Sequence, residues 1–157
     1  MPSPADLLQD RADAFAVRVL TFVRALSREP ATDGIARQLA RSGPGVSSNY
    51  RSTRRARSRA EFIARLGIVV DEADESQHWL SVLKKGDLAS GDELEWLLGE
   101  GGELRAIFGK SLATARRTTN ARSPHQDSQI LKFSHSAQCA SCAESCAHRP
   151  RTYVSIK

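Results

Sequence analysis

Leu8, Ala12, Phe15, Val19, Phe22 and Leu26 recur at alternating steps of four and three residues, with polar and charged positions between them. That period holds all six on one stripe of a helix, and such a stripe has to be buried against something. Ser3 stands where it can cap this helix, Pro4 takes the first helical position, and Asp6 puts a carboxylate in the first turn. Pro30 keeps the helix from running much beyond Ser27. The spacing predicts a second helix with Ile35, Leu39, Ser42, Val46 and Asn49 on its stripe and Asp33 as its N-cap. A kink is expected at Gly43-Pro44-Gly45, where one backbone donor is lost. Ser58 and Glu61 have capping-box spacing ahead of a third stripe, Phe62, Leu66, Val69, Ala73, Ser76, Leu80 and Leu83, which Lys84-Lys85-Gly86 closes. Ser90 and Glu93 repeat that spacing ahead of Leu94, Leu97, Leu104, Phe108, Leu112 and Ala115. Gly99, Gly101 and Gly102 lie inside this fourth segment. Each costs about 1 kcal/mol relative to Ala in a helix interior, so a bend or close packing is expected there.

No segment carries a strand signal. Connections of a few residues between long helices force neighbours to run antiparallel. The expected fold is all-α: an antiparallel up-down-up-down four-helix bundle over residues 1–119, followed by a disordered C-terminal tail over 120–157, where the periodicity stops. The 157 residues suffice for one domain with a core and leave no room for a second of ordinary size. The opening MPSPADLLQD has no basic start followed by an apolar run, and LGIVV is the longest apolar run. Neither a secretory nor a membrane-spanning signal is therefore expected, and a cytoplasmic setting follows. Helix 1 carries a second apolar set, Val17, Leu20 and Val23, which is more than a lone bundle needs and predicts an oligomer.

Charge sharpens the picture in one place. The body, residues 1–119, has 18 Lys and Arg against 16 Asp and Glu, whereas RSTRRARSR (51–59) carries five Arg and no acid. Arg51, Arg54, Arg55, Arg57 and Arg59 are the candidate nucleic-acid-binding residues, weighed against a merely solvated run. Lys84, Lys85, Arg116 and Arg117 are weaker candidates, because the helix dipole favours cations in a last turn whatever the ligand.

The acidic stretch DEADE, with Asp71, Glu72, Asp74 and Glu75, raises the question of a metal or acid–base site. Glu75 and His78 have the Glu-x-x-His spacing of metal-binding bundles. Such a site needs a second copy of the motif and an inward Glu on each of the other helices, and this sequence has neither. Glu72, Asp74 and Glu75 flank the stripe, as carboxylates that meet Arg or Lys of a neighbouring helix or subunit do. Asn49 falls on an apolar stripe and is read as a satisfied amide that fixes register. In the tail, Cys139, Cys142, Cys146 and His148 offer three thiolates and an imidazole. One residue between Cys146 and His148 is short for two ligands of a tetrahedral zinc, so free, oxidisable thiols are expected. No cofactor is expected.

Two segments together carry a resemblance. QLARSGPGVSSNYRSTRRARSRAEFIARL (38–66) and VVDEADESQHWLSVL (69–83) resemble the paired signature of the four-helix-bundle family encoded within intervening sequences of bacterial 23S ribosomal RNA genes. The matching positions are Gln38, Leu39, Arg41, Ser42, Asn49 and Tyr50, then Ser58, Glu61 and Phe62, and finally Glu72, Ala73, Glu75, Trp79 and Leu80. Ser52 stands where that family usually has Glu, and Pro44 and Gly45 replace a Thr-Ser pair. The resemblance implies a homopentameric ring without enzymatic activity. Through relatives that serve as accessory variability determinants of diversity-generating retroelements, it also implies a basic platform for a reverse transcriptase and its nucleic acid. On that view Asn49, Glu72, Glu75 and Trp79 are structural or interface residues. The expected function is a non-catalytic, nucleic-acid-binding accessory or scaffold protein, with RNA or DNA as partner. The alternative is a scaffold that binds a reverse transcriptase or other protein without touching nucleic acid, and salt dependence separates the two.

Overall fold

The computed structural model describes residues 1–27 and 29–120. The expectations for the tail, including its disorder and the Cys139, Cys142, Cys146 and His148 thiols, lie outside the described residues. Four helices follow one another: α1 (Pro4–Ala25), α2 (Pro30–Thr53), α3 (Arg59–Lys85) and α4 (Asp92–Asn120).

Side-chain pairs fix how they are arranged. Asp6 meets Arg54 and Asp13 meets Ser47, so α1 and α2 run antiparallel. Ser42 faces Ser76 and Arg41 faces Glu75 between α2 and α3. Lys84 pairs with Glu95, Asp74 with Arg105, and Arg59 reaches the Ala115 carbonyl between α3 and α4. Arg18 with Glu93 and Arg11 with Glu100 close the ring of neighbours between α4 and α1. The result is the antiparallel up-down-up-down bundle, with α1 diagonal to α3.

The predicted stripes form the core. Ala12, Phe15 and Val19 of α1, Leu66, Val69 and Leu80 of α3, and Leu94, Leu97, Leu104 and Phe108 of α4 are all nearly or fully excluded from solvent. The Tyr50 and Phe108 rings meet at 4.9 Å between centroids, joining α2 to α4 through the middle. Burying the Val, Leu and Phe side chains among these supplies roughly 1.5–3 kcal/mol each, the dominant favourable contribution to the fold.

Two glycines explain how closely the helices approach. Gly43 is buried, and a methyl group there would lie 2.7 Å from Val19 Cγ1. Gly101 fills the gap in the α4 stripe between Leu97 and Leu104, where a methyl would lie 2.5 Å from Gln77 Nε2 and 3.1 Å from the Phe15 ring. Close packing therefore accounts for Gly101, whereas Gly99 faces open space.

Several local expectations are corrected. α2 begins at Pro30, with Glu29 as N-cap in place of Asp33, because Pro30 is preset for the first helical position and the Thr32 hydroxyl accepts from the Glu29 amide at 3.3 Å. The start apart, α2 is one helix from Pro30 to Thr53 with Pro44 inside it, so the backbone donor lost there does not end it. Its inward stripe continues from Val46 to Tyr50 and Thr53, not Asn49, since a four-residue step from Val46 stays on the core side and the larger ring fills it. At α1 the Ser3 and Asp6 capping box is complete: Asp6 N–H donates to Ser3 Oγ at 3.2 Å, and Ser3 N–H donates to the Asp6 carboxylate at 2.9 Å. At α3 only half of the box forms. Ser58 caps Glu61, but the Glu61 carboxylate accepts from the Arg57 amide at 2.8 Å and from Arg65. α4 starts at Asp92 after Gly91, whose φ of 109° suits a residue without Cβ, and Glu93 is taken by Arg18.

Candidate nucleic-acid interface

The α1 N-terminus, the α2–α3 turn and the last turns of α4 share one end of the bundle. Residues 1–10, 50–66 and 108–119 contain nine Lys and Arg (Arg51, Arg54, Arg55, Arg57, Arg59, Arg65, Lys110, Arg116 and Arg117) against three acids (Asp6, Asp10 and Glu61). The remaining part of residues 1–119 has nine bases and thirteen acids. A body that is nearly neutral in sum is thus strongly polarised along its length, which composition does not reveal.

The five predicted arginines do not act alike. Arg51 Nη2 lies 3.2 Å from Asp13 Oδ2, and Arg54 pairs with Asp6, so both are engaged with α1. Arg59 donates from Nε and Nη2 to the Ala115 carbonyl at 3.3 and 3.0 Å, tying α3 to the last turns of α4. Arg55 and Arg57 are exposed, and neither guanidinium has an ion pair among the described residues. Beside them lies an open cleft of about 800 Å³ between the α2–α3 turn and α4, lined by Arg57, Ser58, Phe62, Lys110, Ser111 and Thr114, among others. Among the described residues, no carboxylate lines it. Sequence reading missed Lys110, Ser111 and Thr114, which lie some fifty residues from Arg57 along the chain and come to it only through helix packing.

Electrostatics at this end follow from the pairs. The hydrogen bonds from the Ser3 hydroxyl and amide, joined by Arg54, hold the Asp6 carboxyl down at about 2, below its ordinary 3.8. At Asp13 burial pushes upward, but the hydrogen bonds from Ser47, Gln9 and Arg51 outweigh it and the net direction is down. A carboxylate lowered in the fold contributes stability above its unfolded pKa and loses it as pH falls through the folded value. Between about pH 4 and about pH 2 the bundle is therefore expected to lose stability as Asp6 protonates. Urea titrations at several pH values check this: Asp6→Asn should lose less over that interval than the parent chain, and equal losses would mean that Asp6 does not drive the change.

The residues assigned structural or interface roles lie along α2 and α3. The Asn49 amide donates to the Gly45 carbonyl one turn earlier in its own helix at 2.9 Å. Glu75 Oε2 lies 3.5 Å from Arg41, and its Oε1 accepts from Trp79 Nε1 at 3.4 Å. Trp79 is half-buried against the core and takes the His78 ring edge-on at 4.8 Å. Asp74 pairs with Arg105 at 3.0 Å. Glu72 differs: it presses against Gly45, one oxygen is buried without a hydrogen-bond partner among the described residues, and desolvation, with Glu75 nearby, raises its pKa. The Ser42 and Ser76 hydroxyls, both fully buried, meet at 2.9 Å and let α2 and α3 approach. Among the described residues, no group of three or more His, Cys, Asp or Glu is placed to hold a metal ion. No helix among them is long and apolar enough to cross a membrane.

The positions that carry the sequence signature are thus largely the ones that pack α2 on α3: Leu39, Ser42 and Tyr50 inward from one helix, Ala73 and Leu80 inward from the other, with Arg41 and Glu75 bridging the edge. A similar fold is found elsewhere. The chain is similar to the crystal structure of a protein of unknown function from the S23 ribosomal protein family of Bacteroides thetaiotaomicron VPI-5482, with 27% identity and a TM-score of 0.63, over 69% of this chain and 97% of that one. No protein with a curated description matches it. Residues 7–110 match the profile of the 23S rRNA-intervening sequence proteins, and that span takes in nearly all of the bundle and both halves of the signature. The chain belongs to the 23S rRNA-intervening sequence protein family.

Proposed function

We propose that this protein is a non-catalytic, homo-oligomeric accessory factor that binds nucleic acid through the basic end of its bundle. The observation that carries this reading is the charge polarity, nine bases against three acids at the end where the α1 N-terminus, the α2–α3 turn and the last turns of α4 meet. Family membership supports ribosomal RNA or its gene as the setting. A ring would repeat the basic end around its axis and raise the local cation concentration far above that of a single chain. The pairing of Arg51 with Asp13 and Arg54 with Asp6 shifts the weight of the binding surface to Arg55, Arg57 and Lys110.

Replacing Arg55 and Arg57 with Ala is expected to leave the helical signal and the urea midpoint unchanged, because exposed charges contribute roughly 0–1 kcal/mol to stability. It should weaken RNA and DNA binding at low salt and reduce the slope of log K against log salt by about 0.7 per lost contact on single strands. Binding by the double variant equal to that of the parent would leave the patch as solvated surface. Parent affinity that does not change with salt would favour a scaffold that binds proteins.

A further inference from the structure

We propose that the cleft between the α2–α3 turn and α4 is a single-nucleotide seat for single-stranded nucleic acid. This inference deepens the proposed function and rests on it. The cleft, of about 800 Å³, has a volume within the range that small organic ligands occupy. Its two sides carry like charge: Arg57 from the turn and Lys110 from α4. Both side chains are exposed and have no ion pair among the described residues. The nearest carboxylate of the turn, Glu61, does not line the cleft; it accepts from the Arg57 amide and pairs with Arg65. Cations that converge across a gap without a carboxylate repel one another, and a phosphate between them relieves that repulsion.

Phe62 supplies the second half of the site. It lines the cleft, is only half-buried, and packs its inner side against the core, so one part of the ring remains available. An aromatic surface beside paired cations suits a base with its attached phosphate, since every base has a face to stack and every nucleotide brings a negative charge. A duplex keeps its base faces stacked on one another and presents phosphates, sugars and base edges, so it offers the ring no face to stack on. Ser58 and Ser111 add hydroxyls at the rim; the Ser111 hydroxyl donates to Ile107 O of its own turn at 2.8 Å. A recognition surface of phosphates alone would have no use for the apolar floor.

The test uses the full chain with oligouridylate of about a dozen residues and an RNA duplex of equal length. Phe62→Leu keeps an apolar side chain against the core and is expected to weaken oligouridylate binding about fivefold or more, the lower end of what base stacking supplies, with duplex binding unchanged. Ser111→Glu leaves the core untouched, places a carboxylate in the cleft, and should weaken oligouridylate binding at least tenfold even if Phe62→Leu perturbs folding. Ultraviolet crosslinking of oligouridylate should recover the peptide that contains Phe62. If oligouridylate binds and both variants bind it as the parent does, the cleft is not the seat, while nucleic-acid binding by the basic end stands. If neither probe binds the parent at low salt, the seat and the proposed function both fall.

Discussion

Replacing Gly43 with Val is expected to destabilise the bundle by about 3 kcal/mol, the upper part of the range for overpacked cores, and to lower the melting temperature by roughly 10 °C. The first added carbon alone would lie 2.7 Å from Val19 Cγ1 and 2.9 Å from Val19 Cβ. Val19 is fully buried and β-branched, so it has no other rotamer to swing into, and α1 and α2 must part to admit the new side chain. The gain in helix propensity on leaving glycine is well under 1 kcal/mol and does not compensate. Val19→Ala by itself removes two methyl groups from the core and costs about 2 kcal/mol. In the double variant the new valine occupies the space that Val19 vacates, so the two losses should fall short of additivity by at least about 1 kcal/mol. Urea unfolding of the four proteins measures the cycle; strictly additive losses would mean that the α1–α2 contact at Gly43 is not what limits residue size there.

The second large effect concerns assembly. Leu7, Val17 and Leu20 on α1 are 52%, 63% and 41% exposed, and Ile68 on α3 is 47% exposed. Val23, expected to share the outer face, instead packs against the core. A ring built head to tail joins two different surfaces of each chain, and outward faces on the diagonal helices α1 and α3 meet that requirement. The parent is expected to sediment as a homo-oligomer at micromolar concentration, and Val17→Glu with Leu20→Glu to sediment as a single 17.2 kDa chain with its helical signal intact. Ile68→Lys alone should also release single chains if the contact is head to tail, whereas a two-fold dimer through α1 would survive it. A parent that is already a single chain at micromolar concentration rules the ring out.

Both predictions depend on features that differ in how far the sequence shows them. The four stripes, the Ser3 cap with Pro4 behind it and the closing lysines of α3 are all legible in order, because each is decided within about four residues of itself. The family signature is legible for a related reason: Ser42, Ala73 and Leu80 have to be small or apolar for α2 to lie on α3. Where two local solutions were close in energy, reading failed by one turn or less. Asn49 and Tyr50 are adjacent, and only the diagonal contact with Phe108 selects the ring for the core. Asp33 and Glu29 can both cap a helix, and the proline between them selects the earlier start.

The proposed binding surface was the least legible part. A run of five arginines marks the basic end of the molecule, yet the sequence does not say that Asp6 and Asp13 take up Arg54 and Arg51 or that Lys110 lines the same cleft as Arg57. Those relations join residues about forty to fifty positions apart and depend on the axial register of one helix against another. Hydrophobic period fixes which face of each helix turns inward but is nearly indifferent to a slide of one turn along the axis. The sequence by itself therefore determined the helices, their inward faces and the family. The tertiary structure alone decided the register, because Gly43 against Val19, Gly101 against Phe15 and Ser42 against Ser76 admit close approach only where small residues meet their partners, and the charges at the bundle end follow from that fit.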